Sequence, residues 1–321
     1  VLGAGGRVLS GPHPQAVKRA SRPKKAPSLF RALRDGAAGM CVLCFALFFL
    51  KNSGLWAKFR PNSGEAAPES GGLTLFCEDV GQGQALLLTC GDRAALVDTG
   101  LAGKAEGLLD ALSDQGVTRL DYLFITHPHS DHCGGAKTVL SALPTDLLVV
   151  PDYYDKDALY IQAGEWLGAA DTELDIAYAG REYALGSAKL TVLSPPQGND
   201  IDDMNDLSLV LLAEYTGVKM LLCGDASQTI EESILPLGHI DLLVAGHHGS
   251  RTATGEALLD DITPAYAFIS CGRDNDYGHP HWEVLDRLEK AGAQVLRTDE
   301  SGVLTARVIQ GKLRVTAERD Q

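Results

Sequence analysis

The sequence predicts an α+β globular part in which β-sheets face each other with helices outside, and three observations carry that reading. From residue 73 onward, short apolar runs alternate with turn signals and amphipathic stretches. The first strands are joined by glycine-bearing turns, Gly81-Gln82-Gly83 and Gly91-Asp92-Arg93, as hairpins are. The later strands are separated by helical patterns, and this mixture argues against a doubly wound parallel sheet.

Taken in order, apolar runs place strands at 73–78, 85–90 and 94–97, then at 122–126 and 147–150. Later runs place them at 189–193, 208–215, 219–223, 241–245, 265–270, 294–297 and 303–309. Amphipathic spacing predicts helices at 104–114, 134–142, 157–168, 227–235, 255–261 and 281–291. A chain of 321 residues accommodates one large α/β domain with extra segments.

The formal charge of −14 conceals an asymmetry. Residues 1–60 carry 11 Lys/Arg against the single acid Asp35, while the remainder carries 17 Lys/Arg against 41 Asp/Glu, a balance of −24. Residues 1–35 read as a basic, disordered segment. The uncharged run 36–50 spans 15 residues, roughly 22 Å as a helix against a hydrocarbon core of about 30 Å. It is expected to be a short transmembrane anchor, with a cleaved signal segment as the competing reading. The positive-inside rule then puts the rest of the chain on the extracytoplasmic side, membrane-anchored or, after cleavage, secreted. Residues 51–72 read as a linker and 73–317 as the globular domain. Seven cysteines match no zinc-ribbon or disulfide framework, and Cys133 stands out only because it follows His132.

The most informative stretch is His127-Pro128-His129-Ser130-Asp131-His132, directly after the run 120–126. Three imidazoles and a carboxylate in the turn leaving a sheet offer a ligand set for zinc or a related divalent ion. A merely solvated polar turn would have no use for that set. Three further clusters also follow expected strands: Gly224-Asp225, Gly246-His247-His248-Gly249-Ser250 and Tyr277-Gly278-His279-Pro280.

In this order, the motifs resemble those of the metallo-β-lactamase superfamily, which implies a four-layer αββα sandwich and a hydrolase. Asp79-Val80-Gly81-Gln82-Gly83, Val97-Asp98-Thr99-Gly100, Leu207-Ser208-Leu209-Val210-Leu211 and the two late histidine motifs narrow the resemblance to the ComEC-type competence hydrolase domain and its free-standing relatives. It implies His127 and His129 at a first metal, Asp131, His132 and His247 at a second, and Asp225 bridging two divalent ions, zinc or manganese. Asp131 would also orient a reacting water. His248 would stabilise a developing oxyanion or take the place of His247 as ligand, and His279 would protonate a leaving group. Ser250, Arg251 and Thr252 are expected as donors to a phosphate. No histidine lies between His132 and His239, so where many superfamily hydrolases have a further ligand the first site either lacks one or accepts oxygen from Asn205 or Asp206, and Asn205 is also expected to contact substrate. Many relatives also carry an acid where this chain has Gln84.

The resemblance implies phosphodiester hydrolysis, with single-stranded DNA as a candidate substrate and the membrane as a partner through the N-terminal segment. The charge of residues 61–321 is unfavourable for a polyanion unless Arg251, Arg273, Arg287 and Lys290 cluster. Two alternatives therefore stand beside it: a hydrolase of a small thioester, lactone, phosphocholine or nucleotide, and a non-catalytic metal-binding module.

Overall fold

A computed structural model describes residues 72–153, 156–168 and 170–319, all within the unit Pro68–Gln321. The basic segment, the expected anchor and nearly all of the linker lie outside the described residues. Among the described residues no helix is long and apolar enough to cross a membrane.

Among the described residues fifteen strands form two sheets. The first has the order β15-β14-β1-β2-β3-β4-β5-β6. Its members are β1 (Leu73–Cys77), β2 (Leu86–Cys90), β3 (Arg93–Val97), β4 (Leu120–Phe124), β5 (Thr145–Pro151), β6 (Glu173–Ala177), β14 (Leu304–Ile309) and β15 (Lys312–Ala317). The second has the order β13-β12-β11-β10-β9-β8-β7. It contains β7 (Glu182–Leu185), β8 (Ala188–Ser194), β9 (Val210–Tyr215), β10 (Val218–Leu222), β11 (Leu242–Val244), β12 (Tyr266–Ile269) and β13 (Gln294–Arg297).

The expected facing sheets are present, and alternation along the strands explains why they face each other. In β1, Leu73, Leu75 and Cys77 enter the core shared by the two sheets, while Phe76 points to the helices outside. In β2, Leu86, Leu88 and Cys90 go inward and Leu87 outward. A sheet apolar on both faces must be covered on both. The outer face of the first sheet is covered by α1 (Ala105–Asp114), which buries Leu108 and Leu112, and by α3 (Ala136–Ala142), which buries Val139 and Leu140. Between them α2 (Ser130–Cys133) is a single turn, and α4 (Lys156–Leu167) adds Ala163 and Trp166 to the same outer core. The second sheet is covered by α6 (Glu256–Ile262), with Leu258, Leu259 and Ile262, and by α7 (Trp282–Lys290), with Val284 and Leu288. Two short helices, α5 (Gln228–Ser233) and α8 (Thr298–Ser301), complete the described set. The layers are therefore helix, sheet, sheet, helix.

The strands β6, β7 and β15 are absent from the expected set. Each is an edge strand. Edge strands carry charge that discourages pairing with other chains, and Lys312-Leu-Arg-Val or Glu173-Leu-Asp-Ile accordingly lacks the unbroken apolar run of a central strand.

Both sheets change sense along their width. Strand β3 is antiparallel to β2 and parallel to β4, and β10 is antiparallel to β9 and parallel to β11. Ligands in open α/β sheets bind beyond the carboxyl ends of strands at such a switch. The strand-end motifs of the sequence all lie beyond those ends.

Candidate metal centre

The chain leaving β4 bends at His127 and Pro128, is extended again at His129, whose φ and ψ are −71° and 145°, and then closes into the turn of α2. That path leaves His127 and His129 side by side, and the turn brings Asp131 and His132 up beside them. Two glycine-bearing segments brace this loop. The Gln84 amide donates to the Asp131 carbonyl at 3.0 Å, and a Cβ on Gly83 would stand 2.5 Å from that oxygen. The Thr99 amide and hydroxyl both donate to the His132 carbonyl, at 2.7 and 2.9 Å.

Asp225 follows β10 and reaches the same place, so the separated motifs do converge. Side chains fall into two clusters whose ligand atoms lie within 4.8 Å of one another: His127, His129 and Asp225, and Asp131, His132 and His248. Asp225 faces both. One carboxylate oxygen, Oδ1, is 3.1 Å from His132 Nε2 and 3.8 Å from His248 Nε2, and the other is 3.7 Å from His127 Nε2.

Of the two histidines that the HHGS motif offers, the geometry groups the second with the other side chains. It is His248, not His247, whose ring groups with Asp131 and His132, its Nε2 3.3 Å from Asp131 Oδ2. The buried His248 is anchored by Nδ1, which donates to the Ser270 carbonyl at 2.9 Å. His247 is half-buried, with Nε2 3.5 Å from Asp225 Oδ2 and Nδ1 3.4 Å from the Thr252 hydroxyl. Both residues hold left-handed backbone, at φ 51° and 54°, and Gly249 follows at φ 79°. A Cβ at Gly249 would meet Pro280 at 2.5 Å, so only glycine fits there.

Hydrogen-bond bookkeeping shows why this donor set suits a cation. The fully buried Asp98 carboxylate, also left-handed at φ 62°, accepts from the Thr126 amide and hydroxyl, the Gln84 side chain and His132 Nδ1, at 2.7–2.8 Å. With Nδ1–H of His132 committed to Asp98, and Nδ1–H of His248 to a carbonyl, their two Nε2 atoms face each other at 3.1 Å beside Asp225 Oδ1. Lone pairs at that spacing repel unless a proton or a metal ion lies among them. His127 Nε2 and His129 Nδ1, 3.0 Å apart, pose the same demand in the other cluster. Asp225 Oδ1, Asn205 Oδ1 and His279 Nδ1 are all buried without a hydrogen-bond partner, and all three residues line one cavity. Buried polar atoms left in that state call for a ligand. The residues fit a divalent metal.

The charges agree. Burial opposes a charge on His132, yet Asp225 and Asp98 outweigh it and hold its pKa well above the ordinary range. Burial likewise opposes ionisation of Asp131, but His248 and His132 bring its pKa down to about 2. Asp225 is held well below the carboxylate range by His132 and His248 against the same opposition. Burial and the nearby His132 push His127 well below the imidazole range. For His279, burial followed by His248 and His247 lowers the pKa to about 4. A neutral His279 at pH 7 donates a hydrogen bond but does not deliver a proton, which weakens its expected role as general acid.

The cavity of about 270 Å³ is lined by His129, Asp131, Asn205, Asp225, His247, His248 and His279, with Gln82, Ser130 and Tyr277 in addition. Ser250, Arg251 and Thr252 are absent from the lining. Ser250 and Thr252 bond to each other through their hydroxyls at 3.0 Å, and Arg251 is exposed, 3.8 Å from Glu283. Asp206 does not face the cavity ligands either: its carboxylate accepts from the Ser227 amide at 2.9 Å. Cys133 is buried, its thiol donating to the Pro128 carbonyl and its pKa pushed up to about 12 by burial. It belongs to neither cluster.

Sequence reasoning gave no role to Asp98, Gln84 or Glu231. Glu231 on α5 is buried, and its two oxygens accept from the amides of Thr254 and Gly255 at 2.6 and 2.8 Å. The Thr254 hydroxyl in turn accepts from the Gly246 amide at 3.1 Å. Glu231 thus braces the turn that carries His247 and His248. Its signal in the sequence is only an acid in a short amphipathic stretch.

Fold and site together define a metal-dependent hydrolase of the metallo-β-lactamase fold. Residues 79–180 match the metallo-β-lactamase superfamily, and the chain carries a domain of that superfamily. It is similar to ComE operon protein 3 of Bacillus subtilis, at 34% identity over 206 residues, covering 62% of this chain and 26% of that protein. Recombination protein 2 of Haemophilus influenzae is 32% identical, covering 75% and 29% respectively. Competence protein ComA of Neisseria gonorrhoeae is 33% identical, covering 82% and 37%. The chain thus spans about a quarter to a third of the length of these relatives. Among solved structures, the metallo-β-lactamase fold protein YhfI from Bacillus subtilis aligns with a TM-score of 0.52 at 12% identity, over 72% of this chain and 98% of that one. CmlA, a diiron β-hydroxylase from Streptomyces venezuelae, aligns with 0.50 at 16%, over 79% and 55%. At these identities the likeness concerns the fold alone.

Proposed function

We propose that the chain is a phosphodiesterase of the ComEC type, a nuclease held at the outer face of the membrane by its N-terminal segment, with residues 73–317 as the catalytic domain. The observation that carries the reading is Asp225, one buried carboxylate directing its two oxygens toward two separate clusters of imidazoles. In this reading His127, His129 and Asp225 hold one divalent ion, zinc or manganese. Asp131, His132 and His248 hold a second, and Asp225 is shared. Ions bound there would supply Lewis acidity and lower the pKa of a water.

The chain's own residues do the rest. Asp98 fixes the tautomer and orientation of His132, the Ser270 carbonyl does the same for His248, and the Thr126 hydroxyl, committed to Asp98, accepts from His127 Nδ1 at 3.1 Å. Asn205 Oδ1 stands where many superfamily hydrolases carry a further imidazole, and it completes the first cluster with oxygen, which favours manganese modestly over zinc. Neutral His279 donates to an oxygen of the scissile phosphate, and Asp131 accepts from the attacking water. That the relatives include a competence protein and a recombination protein supports the DNA substrate. The negative balance of residues 61–321 is the observation that favours a small substrate instead.

The test is hydrolysis of a bis-aryl phosphodiester. Chelated protein is expected to be inactive and to regain turnover with Mn²⁺ or Zn²⁺. Failure with every divalent ion overturns the proposal, and turnover of only a thioester or lactone moves it to the small-molecule reading.

A further inference from the structure

Among the described residues only four large apolar side chains are exposed: Leu101, Met204, Tyr277 and Trp282. One of them, Tyr277, lines the metal cavity, and two others stand next in sequence to residues at or beside it. Tyr277 lines it while 65% exposed, and its ring lies 5.6 Å from that of His279 at an angle of 23°. Met204, 49% exposed, adjoins the lining residue Asn205. Trp282, 71% exposed, opens α7 directly after His281, whose ring is 4.9 Å from that of His279. An aromatic face left to solvent beside a cavity has no folding role, because its burial contributes nothing to the core.

The charge around these rings excludes the usual way of holding a polyanion. Exposed Asp202 and Asp203 precede Met204, and exposed Asp274 and Asp276 precede Tyr277. Three arginines of the sequence's candidate basic patch already have partners: the Arg251 guanidinium faces Glu283 at 3.8 Å, Arg273 donates to the Asp299 carbonyl at 2.9 and 3.1 Å, and Arg287 donates to the Ala253 carbonyl at 3.0 Å. Counterion release by a basic groove, which supplies most non-specific affinity for nucleic acid, is therefore weak here. Base stacking on an aromatic face does not depend on that charge, and it requires the base to be unpaired.

We infer that Tyr277 and Trp282 are the specificity-determining residues of this site, stacking unpaired bases so that a single strand is held by its bases rather than by its phosphates. This rests on the phosphodiesterase reading above. Tyr277 presents one face to His279 and leaves the other for a base at the cavity mouth, and Trp282 extends the platform along the strand. Duplex, with its bases already stacked and its phosphates outward, gains nothing from either ring.

The experiment compares KM for a single-stranded oligonucleotide with KM for an abasic strand of equal length and charge, using the full chain loaded with Mn²⁺. The wild type is expected to favour the base-bearing strand by about tenfold or more, the scale of one base stacked on an aromatic ring. The preference should fall toward unity in the double variant Tyr277→Leu/Trp282→Leu and return with Tyr277→Phe/Trp282→Phe, which keep the ring faces. Equal KM values for the two strands in the wild type, or a preference that survives the leucine variants, overturns the inference while leaving the phosphodiesterase intact. Hydrolysis of neither strand, together with an inert bis-aryl phosphodiester, overturns the underlying function instead.

Discussion

The first sheet delivers His127, His129, Asp131 and His132 from a single loop after β4, whereas the second delivers Asp225, His248 and His279 from three loops after β10, β11 and β12. The two halves nonetheless share a plan. In each, a carboxylate follows the strand where the sheet changes from antiparallel to parallel, Asp98 after β3 and Asp225 after β10. Asp98 is saturated with four hydrogen bonds and orients His132; Asp225 keeps an oxygen without a hydrogen-bond partner and faces both side-chain clusters. The same position in two sheets thus yields a supporting acid in one and, in the proposed reading, a metal ligand in the other. Buried donors around the acid make the difference. The halves are stitched at the site by the Ser208 hydroxyl, 3.3 Å from His127 Nδ1, and by the Ser270 hydroxyl donating to the Gly83 carbonyl at 2.8 Å.

The sharpest way to break this comparison is to exchange the acids' roles. Asp225→Asn is expected to abolish phosphodiester turnover, by on the order of 10³-fold or more, as when one member of a group acting as a unit is removed. It should also lower metal content in both clusters, read by elemental analysis of the dialysed protein. Asp98→Asn should act only through His132, weakening metal affinity by roughly 10–100-fold, measured by competition with a chromophoric chelator. A larger loss at Asp98 than at Asp225 would reverse the assignment.

A smaller contrast lies within the HHGS turn. His248→Ala is expected to remove one equivalent of metal per chain, whereas His247→Ala should retain the full complement. Equal metal loss from both variants would return His247 to the ligand set.

The smallest expected effect falls on stability. Burial raises the Glu231 pKa from 4.5 to about 7 although two amides favour its charged form. The folded protein therefore binds the proton more tightly than the unfolded chain, and stability falls as pH rises from about 4.5 through about 7. Glu231→Gln, which cannot ionise, lacks that part of the slope, so its difference in melting temperature from wild type should shrink between pH 5 and pH 8. At pH 5 it should cost about 1–3 kcal/mol, because one of the two amides loses its acceptor. A difference independent of pH would show that Glu231 is not protonated in the fold.

The comparison also explains what could be read from the residues alone. The first-sheet loop is contiguous, so its four ligands announce themselves as a hexapeptide. The second-sheet ligands are single residues after separate strands, and only their order and the resemblance join them to the first loop. The choice between His247 and His248 could not be made from two adjacent identical letters; it depends on left-handed backbone and on a carbonyl at Ser270, 22 residues away. Asp98 stood in a motif and Gln84 beside one, but their roles depend on partners distant in sequence, which the motifs do not name. In the fold, central strands were legible through their apolar runs, and edge strands β6, β7 and β15 were hidden by their charge.

The two left-handed histidines carry a consequence for how this domain tolerates change. A non-glycine residue in that conformation costs about 1–3 kcal/mol, and here two stand in a row where glycine would rest without penalty. Replacing His247 by glycine should relieve that strain, whereas the same exchange at His248 would also remove a buried imidazole and its hydrogen bond to the Ser270 carbonyl. In this turn durability yields to the placement of two imidazoles.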